Sequence, residues 1–181
     1  ILPQDMYDWQ KIKVDGRFSR AIAATDNHIY VGTDVGLVQL EIETGKKKLF
    51  NNTNSSLPGN QVYSVYTDKQ KNVWVGMKGT IAKISGSNWT IFNDETSKLP
   101  YEIVYSIASD NIGGMWFGTL GAGLMHFDGS SWKFYSTENS DIKNDVIRAV
   151  AVDERNVKWL GTNGSGIIKM DGNNFSQFNK A

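Results

Sequence analysis

Trp74-Val75-Gly76 decides the fold, because the chain contains this stretch four times in slightly varied form. The other copies are Tyr30-Val31-Gly32, Trp116-Phe117-Gly118 and Trp159-Leu160-Gly161. Their glycines follow one another at intervals of 44, 42 and 43 residues. A period in the low forties filled with short strands is typical of β-propeller blades. The sequence therefore predicts an all-β propeller built from four blades of about 43 residues each.

Each copy is predicted to form four antiparallel strands. The stretch 62–66 alternates apolar and polar residues with the period of two that marks a half-buried strand. A polar turn leads from it to the second strand at 73–75, and the third strand over 81–84 and an outer strand over 89–92 follow. No helical periodicity of useful length is visible.

Further positions recur in the same register in every copy. An apolar residue lies eleven positions before each glycine, as Ala21, Val65, Ile107 and Val150. An aspartate lies eight positions before three of the glycines, as Asp68, Asp110 and Asp153, and Ala24 takes this place in the first copy. Aromatic residues open the outer strands of the later copies as Trp89, Trp132 and Phe175, and we expect them to pack between neighbouring blades.

Composition narrows the possible functions. The charges balance at 19 basic and 19 acidic residues, which argues against nucleic acid or an anionic membrane as a partner. Cysteine is absent, so disulfides, thiolate metal sites and cysteine nucleophiles are excluded. No apolar run approaches the ~20 residues of a membrane-spanning helix, so we expect no membrane insertion by this chain. Because the chain begins with Ile1, we expect a processed protein or an excised segment, with any signal peptide out of view.

The repeats divide the chain into blades at about 18–56, 57–98, 99–141 and 142–181, which we treat as one domain over 1–181. Residues 1–17 contain Trp9 to Ile12, which reads as an outer strand with no blade in front of it. Three arrangements are open: a complete four-bladed ring, a fragment of a larger propeller, or an open arc that a second chain completes. The last two imply a homo-oligomer or the remainder of a larger propeller as a partner.

The second and third copies resemble the two-component regulator propeller repeat. The resemblance rests on stretch 57–65 with Asp68 and Trp74-Val75-Gly76, and on its counterpart in the third copy: Leu99-Pro100, 104–107, Asp110, 116–119 and 121–124. Propellers of this family usually have about seven blades, whereas this chain has four copies. The first copy also departs from the pattern at Ala24 and Tyr30.

The resemblance implies a function as well as a fold. Such repeats typically form the extracytoplasmic sensor region of bacterial hybrid histidine kinases, and they also occur in secreted proteins. We therefore expect a periplasmic or secreted, non-catalytic module that recognises a glycan or a partner protein. The alternatives are a propeller enzyme of the streptogramin-lyase type, with Glu102 or Glu138 as a candidate general base, and a structural segment of a surface protein.

Candidate chemical motifs are weak. The glycine-rich stretches 118–123 and 161–166 lead into strands, whereas a phosphate loop needs a helix. His28 and His126 have no partners at metal-ligand spacing, so we predict no metal, no cofactor and no catalytic residue. In propellers, the turn between the second and third strands and the connection between blades share one rim. The ligand-binding candidates on this rim are Asp34, Lys78, Tyr101, Glu102, Asp145 and Asn163.

Overall fold

The computed structural model describes residues 13–178, which form four separate four-stranded antiparallel sheets. The first sheet contains β1 Ser19–Ala24, β2 His28–Thr33, β3 Leu37–Glu41 and β4 Lys47–Phe50. The second contains β5 Ser64–Thr67, β6 Val73–Gly76, β7 Ile81–Ser85 and β8 Asn88–Phe92. The third contains β9 Val104–Ser109, β10 Met115–Thr119, β11 Leu124–Phe127 and β12 Trp132–Tyr135. The fourth contains β13 Ile147–Val152, β14 Lys158–Thr162, β15 Ile167–Asp171 and β16 Asn174–Phe178.

The sheets are blades of a propeller. Within each sheet the strands pair in chain order, and the first strand of each sheet packs against the first strand of the next. The predicted all-β propeller fold is therefore confirmed, and each sheet lies within one of the predicted repeats. The predicted outer strand at Trp9 to Ile12 lies outside the described residues.

One short helix was not predicted from the sequence. The single turn α1, Asp94–Ser97, follows β8, and Asn93 caps it by accepting a hydrogen bond from the Thr96 backbone N–H at 3.0 Å. Because the periodicity of a helix needs several turns to become visible, one turn leaves no signal in the sequence. Within residues 13–178, no helix has the length and apolar character needed to cross a membrane.

A glycine near the end of the second strand allows each of the first three blades to pack closely against the next. A Cβ atom on Gly118 would lie 2.8 Å from Ile147 Cγ2 of the next blade, and one on Gly76 would lie 2.8 Å from Val104 Cγ1. The first blade repeats the arrangement, since a Cβ on Gly32 would lie 2.6 Å from Val62 Cγ1. Real Cβ contacts are longer than this, so only glycine leaves room for the next blade. We call this contact the blade joint.

The aromatic residues near the start of the outer strands pack across the same joints. The ring centroids of Trp89 and Phe50 lie 5.5 Å apart, and those of Trp132 and Phe92 lie 5.4 Å apart. Phe175 contacts Tyr135 in the same way at 6.2 Å. Each pair joins two consecutive blades in an edge-on arrangement that aromatic rings favour. The predicted packing role of these three residues is confirmed.

The fourth blade has an open joint. Ile167 pairs with Gly161 and is 49% exposed, whereas its three counterparts, Leu37, Ile81 and Leu124, are 0% exposed. A Cβ on Gly161 would meet nothing closer than Ala149 of its own blade, at 3.4 Å. The face that the earlier blades use to receive a neighbour is therefore uncovered here.

The first blade is open on its opposite face. Ile22 is 69% exposed, although its counterparts Val65, Ile107 and Val150 are at most 9% exposed. Within residues 13–178, β13 does not pack extensively against β1. The four blades therefore form an arc with one exposed apolar face at each end. This geometry favours the two arrangements in which further blades, from a larger propeller or from a second chain, continue the arc.

The register of the first blade differs by one residue from the sequence alignment. Ile22, not Ala21, pairs with Val31 in the position that Val65 holds opposite Val75. The displacement arises because the turn between β1 and β2 is one residue shorter than its counterparts. For the same reason Thr25, not Ala24, takes the place of the repeated aspartate, and its hydroxyl accepts a hydrogen bond from the His28 backbone N–H at 3.1 Å.

In the other three blades the repeated aspartate clamps the first turn to the second strand. Asp110 accepts the indole N–H of Trp116 at 3.0 Å and the backbone N–H groups of Ile112 and Gly114 at 3.1 and 2.7 Å. Asp68 with Trp74 and Asp153 with Trp159 repeat the pattern. The indole of Trp159, followed by the Val157 and Arg155 amides, lowers the pKa of the Asp153 carboxyl despite opposing desolvation. The predicted structural role of these aspartates is thus supported by their contacts.

The blade joint makes a matched prediction about glycine. We expect Gly118→Ala to lower the free energy of unfolding by about 1–3 kcal/mol, because its Cβ would overlap Ile147 in a packed joint. Gly161→Ala in the open joint should change it by less than about 0.5 kcal/mol. Urea unfolding of both variants checks this, and equal losses would contradict the joint as described.

The aspartate clamp makes a second prediction. Asp110 is 2% exposed, so Asp110→Asn should cost about 2 kcal/mol or more, since it places an amide N–H₂ or a weaker acceptor opposite the Trp116 indole N–H. Asp153→Asn should cost less, because solvent reaches that clamp. Urea midpoints at pH 7 measure both effects. A larger loss for Asp153→Asn would show that burial does not set the strength of the clamp.

Candidate functional site

The turns between second and third strands and the connections between blades meet along one rim. The Gly79 N–H donates to the Glu102 carbonyl at 2.9 Å, and the Leu120 N–H donates to the Ile103 carbonyl at 3.0 Å. In the fourth blade the Asn163 N–H donates to the Val146 carbonyl at 3.1 Å. The rim therefore holds all six residues that the sequence analysis selected, although they do not form one cluster. Their role in ligand binding stays a prediction.

Three of the six residues meet at the boundary between the second and third blades. The Lys78 ammonium nitrogen lies 4.7 Å from the centroid of the Tyr101 ring. Tyr101 is 74% exposed, so the ring presents most of its surface to solvent. The Glu102 carboxyl lies against the turn at Gly121, where an added Cβ would be 3.3 Å from its carboxyl carbon. This boundary thus combines an exposed ring with both signs of charge.

Tyr101 forms part of the wall of a groove of about 780 Å³, which we call the rim groove. Its lining mixes apolar surface with carboxyl, hydroxyl and ammonium groups. Besides Tyr101 and Asp145, the lining residues are Asp94, Lys98, Leu99, Pro100, Gly121, Ala122, Phe134, Ser136 and Glu138. On its other side, Tyr101 borders a second depression of about 380 Å³ that contains Lys78. The ring therefore stands between two concave surfaces.

The carboxylates of Asp34 and Asp145 accept hydrogen bonds from backbone N–H groups of neighbouring segments. The Asp34 carboxylate accepts backbone N–H groups of Arg17 at 2.9 Å and Phe18 at 3.3 Å. Desolvation raises the pKa of the Asp34 carboxyl, but these amide bonds and the Arg17 charge outweigh it, so the pKa lies below its usual value. Asp145 accepts the backbone N–H and hydroxyl of Thr137 at 2.8 and 2.6 Å. Both carboxylates are therefore partly occupied by the fold.

Asn163 is exposed in the turn of the fourth blade and lies outside the lining of the rim groove. Asp34 is likewise outside that lining, in the first blade. The structure thus brings Tyr101 and Asp145 together in one groove, with Lys78 and Glu102 beside Tyr101. It leaves Asp34 and Asn163 apart from them.

The sequence analysis did not select a row of side chains on the innermost strands. Arg20, Tyr63, Tyr105 and Arg148 come from four successive blades and contact one another in sequence. A signal for them exists, since Tyr63, Tyr105 and Arg148 each lie thirteen positions before the glycine of their copy. The one-residue displacement in the first blade hides Arg20 from this comparison.

His126 belongs to a polar cluster inside the third blade. Its ring stacks on Trp116 with centroids 4.1 Å apart, and its Nε2 lies 3.7 Å from a carboxylate oxygen of Asp110. The Lys158 ammonium lies 4.7 Å from the Trp116 ring centroid. Burial, and then the Lys158 charge, lower the pKa of His126 against the opposing attraction of Asp110. Among residues 13–178, no three His, Asp or Glu side chains converge to hold a metal ion.

This cluster predicts a pH-dependent loss of stability. Because the pKa of folded His126 is below 6.5, folding favours its neutral form, so the stabilisation is present above pH 6.5 and is lost as the pH falls through the folded pKa. Urea unfolding of the natural protein should give a lower free energy of unfolding at pH 5.5 than at pH 7.5.

The free energy of unfolding of His126→Gln should decline less, because glutamine does not titrate. Glutamine also fits this register, since the first blade has Gln39 there. His28→Gln is the matched control and should keep the full decline, because His28 lies outside the Trp116 cluster. Equal declines for His126→Gln and the natural protein would contradict the assignment.

The sheets, their joints and the grooved rim define the chain as a β-propeller module. The family model described as the two-component regulator propeller matches residues 56–79 and 98–121. These segments span the connections into the second and third blades and their first two strands. Two segments of the chain thus match the two-component regulator propeller repeat, and the resemblance seen in the sequence is confirmed for them.

Solved structures share the fold. The extracellular domain of the hybrid two-component system BT3049 from B. thetaiotaomicron is similar over 94% of this chain, with 22% identity and a TM-score of 0.76. Virginiamycin B lyase from Staphylococcus aureus is similar over 90% of this chain and 55% of its own, with 15% identity and a TM-score of 0.72. The computationally designed Ika4 protein is similar over 94% of this chain and 99% of its own, with 13% identity and a TM-score of 0.62.

The chain spans 23% of the length of the BT3049 domain, so the likeness covers about a quarter of that protein. A search among curated proteins gave no matching relative. At these sequence identities the likeness to solved structures establishes the fold of this chain and not its function.

Proposed function

We propose that this chain is a non-catalytic ligand-binding module of an extracytoplasmic sensor and that its rim groove recognises a glycan. The two-component regulator propeller repeats and the likeness to an extracellular domain of a two-component system support the sensor role. The same likeness supports a periplasmic or secreted location. The groove supports the choice of ligand.

The observation that carries the proposal is the exposed Tyr101 ring beside the rim groove. Sugars present flat C–H faces that pack on aromatic rings and hydroxyl groups that bond carboxylates and amides. Tyr101 supplies the ring, and Glu138 and Asp94 supply exposed carboxylates within the same lining. A mixed apolar and polar concave surface with one projecting aromatic residue suits a sugar chain better than an apolar ligand.

A propeller lyase is the second candidate, because virginiamycin B lyase has a similar fold. Elimination needs a base positioned to remove a proton. His126 has its Nε2 buried against Trp116 and lines no part of the rim groove, so the candidate bases are Glu138 within the groove and Glu102 beside Tyr101. Neither residue has a partner among residues 13–178 that would tune it for this role. Binding without catalysis is therefore the better account.

The open joints support a further part of the proposal. We propose that blades from the remainder of a larger propeller, or from a second copy, cover the exposed faces around Ile22 and Ile167. The small share of the BT3049 domain that this chain covers fits the first of these sources.

The glycan proposal is tested by removing the Tyr101 ring. A glycan array identifies a binding sugar, and calorimetry then compares variants. Tyr101→Ala should weaken binding about 30-fold or more, the ~2 kcal/mol expected of an anchoring aromatic side chain. Ile112→Ala is the control, because Ile112 is 86% exposed in a turn between β9 and β10, away from the groove.

The result also separates the candidate functions. Unchanged affinity in Tyr101→Ala, or the absence of any glycan ligand, would contradict the rim groove as a glycan site. Conversion of the bound sugar to an unsaturated product, lost in Glu138→Gln, would favour the lyase.

A further inference from the structure

In the first, third and fourth blades the innermost strand contains one residue that is skipped in the pairing with the second strand. In β9 the pairing passes from Val104 opposite Thr119 to Ser106 opposite Gly118, and Tyr105 is skipped. The same one-residue bulge skips Arg148 in β13 and Arg20 in β1. A bulge leaves its extra residue free of the strand ladder and redirects its side chain. Each of these three blades thus carries one redirected side chain at its inner edge.

Tyr63 holds the equivalent place in the second blade. It immediately precedes β5, and Val62 before it donates its N–H to the preceding blade at Thr33 as Val104 does at Met77. The Tyr63 N–H donates to the Gly76 carbonyl of the second strand, so Tyr63 matches the three bulge residues in place. The four blades thus have two arginines at the ends of the arc and two tyrosines between them at this place.

These four side chains form a continuous row, which we call the inner row. The Arg20 guanidinium carbon lies 4.9 Å from the Tyr63 ring centroid, and that of Arg148 lies 4.5 Å from the Tyr105 centroid. The two tyrosine rings are 6.2 Å apart and nearly perpendicular. Because the first strands of successive sheets pack together, the row crosses the concave edge of the arc from the first blade to the fourth.

The arginines keep their binding capacity in this arrangement. A guanidinium that stacks on a ring uses its flat face and leaves the N–H groups at its edge free to bind a carboxylate or sulfate. Within residues 13–178, Arg20 and Arg148 donate no side-chain hydrogen bond, and the ion pairs found there involve other residues. Both side chains are exposed, so the ring stacking orients two positive groups toward solvent.

We propose that the inner row is a second binding site, distinct from the rim groove, for the acid groups of an acidic sugar chain. The two guanidinium groups bind carboxylates or sulfates, and the tyrosines between them contact the C–H faces of the sugar rings. The Tyr63 hydroxyl already donates to the Gln61 side chain at 2.6 Å, which shows that this edge accommodates polar groups. A neutral sugar lacks the groups that the arginines bind.

The proposal is tested with two acidic probes and one neutral one. Calorimetry at low salt compares trigalacturonate, a sulfated galactose trisaccharide and the neutral galactose trisaccharide. The natural protein should bind an acidic probe at least tenfold more tightly than the neutral one. The probe that binds more tightly tells whether carboxylate or sulfate is the preferred acid.

Variants then locate the site. Arg20→Gln and Arg148→Gln should each weaken binding of the acidic probe at least tenfold. Lys133→Gln is the matched control, because the Lys133 ammonium also lies over a tyrosine ring, at 4.8 Å from Tyr135, but on an outer strand. Unchanged unfolding midpoints verify that the arginine variants fold. Arg148→Lys keeps the charge and loses the planar fork, so it should bind with intermediate affinity.

Three outcomes overturn the inference. The first is equal weakening in Lys133→Gln, which would indicate nonspecific charge attraction. The second is equal affinity for the neutral probe, and the third is equal affinity for an acidic peptide of the same charge. Glu138→Gln distinguishes this proposal from the previous one, because Glu138 lines the rim groove but not the depression that Tyr63 shares with Tyr101, so the variant should leave binding of the acidic probe at the inner row unchanged.

Discussion

The approach of one sheet to the next is the constraint on which this structure depends. Each sheet is apolar on both faces, so no blade is stable without a neighbour, and the neighbour fits only where the second strand ends in glycine. The apolar residue that enters this space comes from the first strand of the following blade. The pairing gives the arc a direction, because one face of a blade receives a side chain and the other face provides it.

That direction explains why the two ends of the chain differ. The fourth blade keeps a receiving face with Gly161 and Ile167, and the first keeps a providing face with Ile22. The two faces lie at opposite ends of the arc, and in the first blade Ser19 holds the place from which Val104 and Ile147 enter their joints. The aspartate clamp works differently, since Asp68 and Trp74 belong to the same blade and fix its internal turn. The structure therefore separates the contacts that shape a blade from those that join blades.

The sequence predicted the fold well because both kinds of contact repeat. The glycines, the aspartates and the aromatic residues of the outer strands are the same physical solution used in each blade, so comparing copies reveals them. The first blade was misaligned because its first turn is one residue shorter, which puts Thr25 in the place of the aspartate. The Thr25 hydroxyl accepts a turn N–H, but the ring residue Tyr30 bonds to Gln39 instead. The turn α1 was missed because it occurs once and is only one turn long.

The candidate site was harder to predict because its residues do not repeat. Topology indicated the rim, but only the folded chain shows that Tyr101 stands between two depressions while Asp34 and Asp145 bind backbone N–H groups. The inner row depends on bulges, which shift the pairing by one residue and leave no mark in the apolar pattern. Arg20 in particular is visible only once the pairing of β1 is known.

The inner row also shows that one position of the repeated blade can hold different residue types. The first and fourth blades have arginine at this place and the second and third have tyrosine, so the scaffold accommodates both residue types there without a change of fold. Each blade therefore repeats the same scaffold with one position at its inner edge whose residue type can differ. Neighbouring blades can therefore present different chemical groups along the inner edge while their strand pairing stays the same, as Arg20 and Tyr63 do.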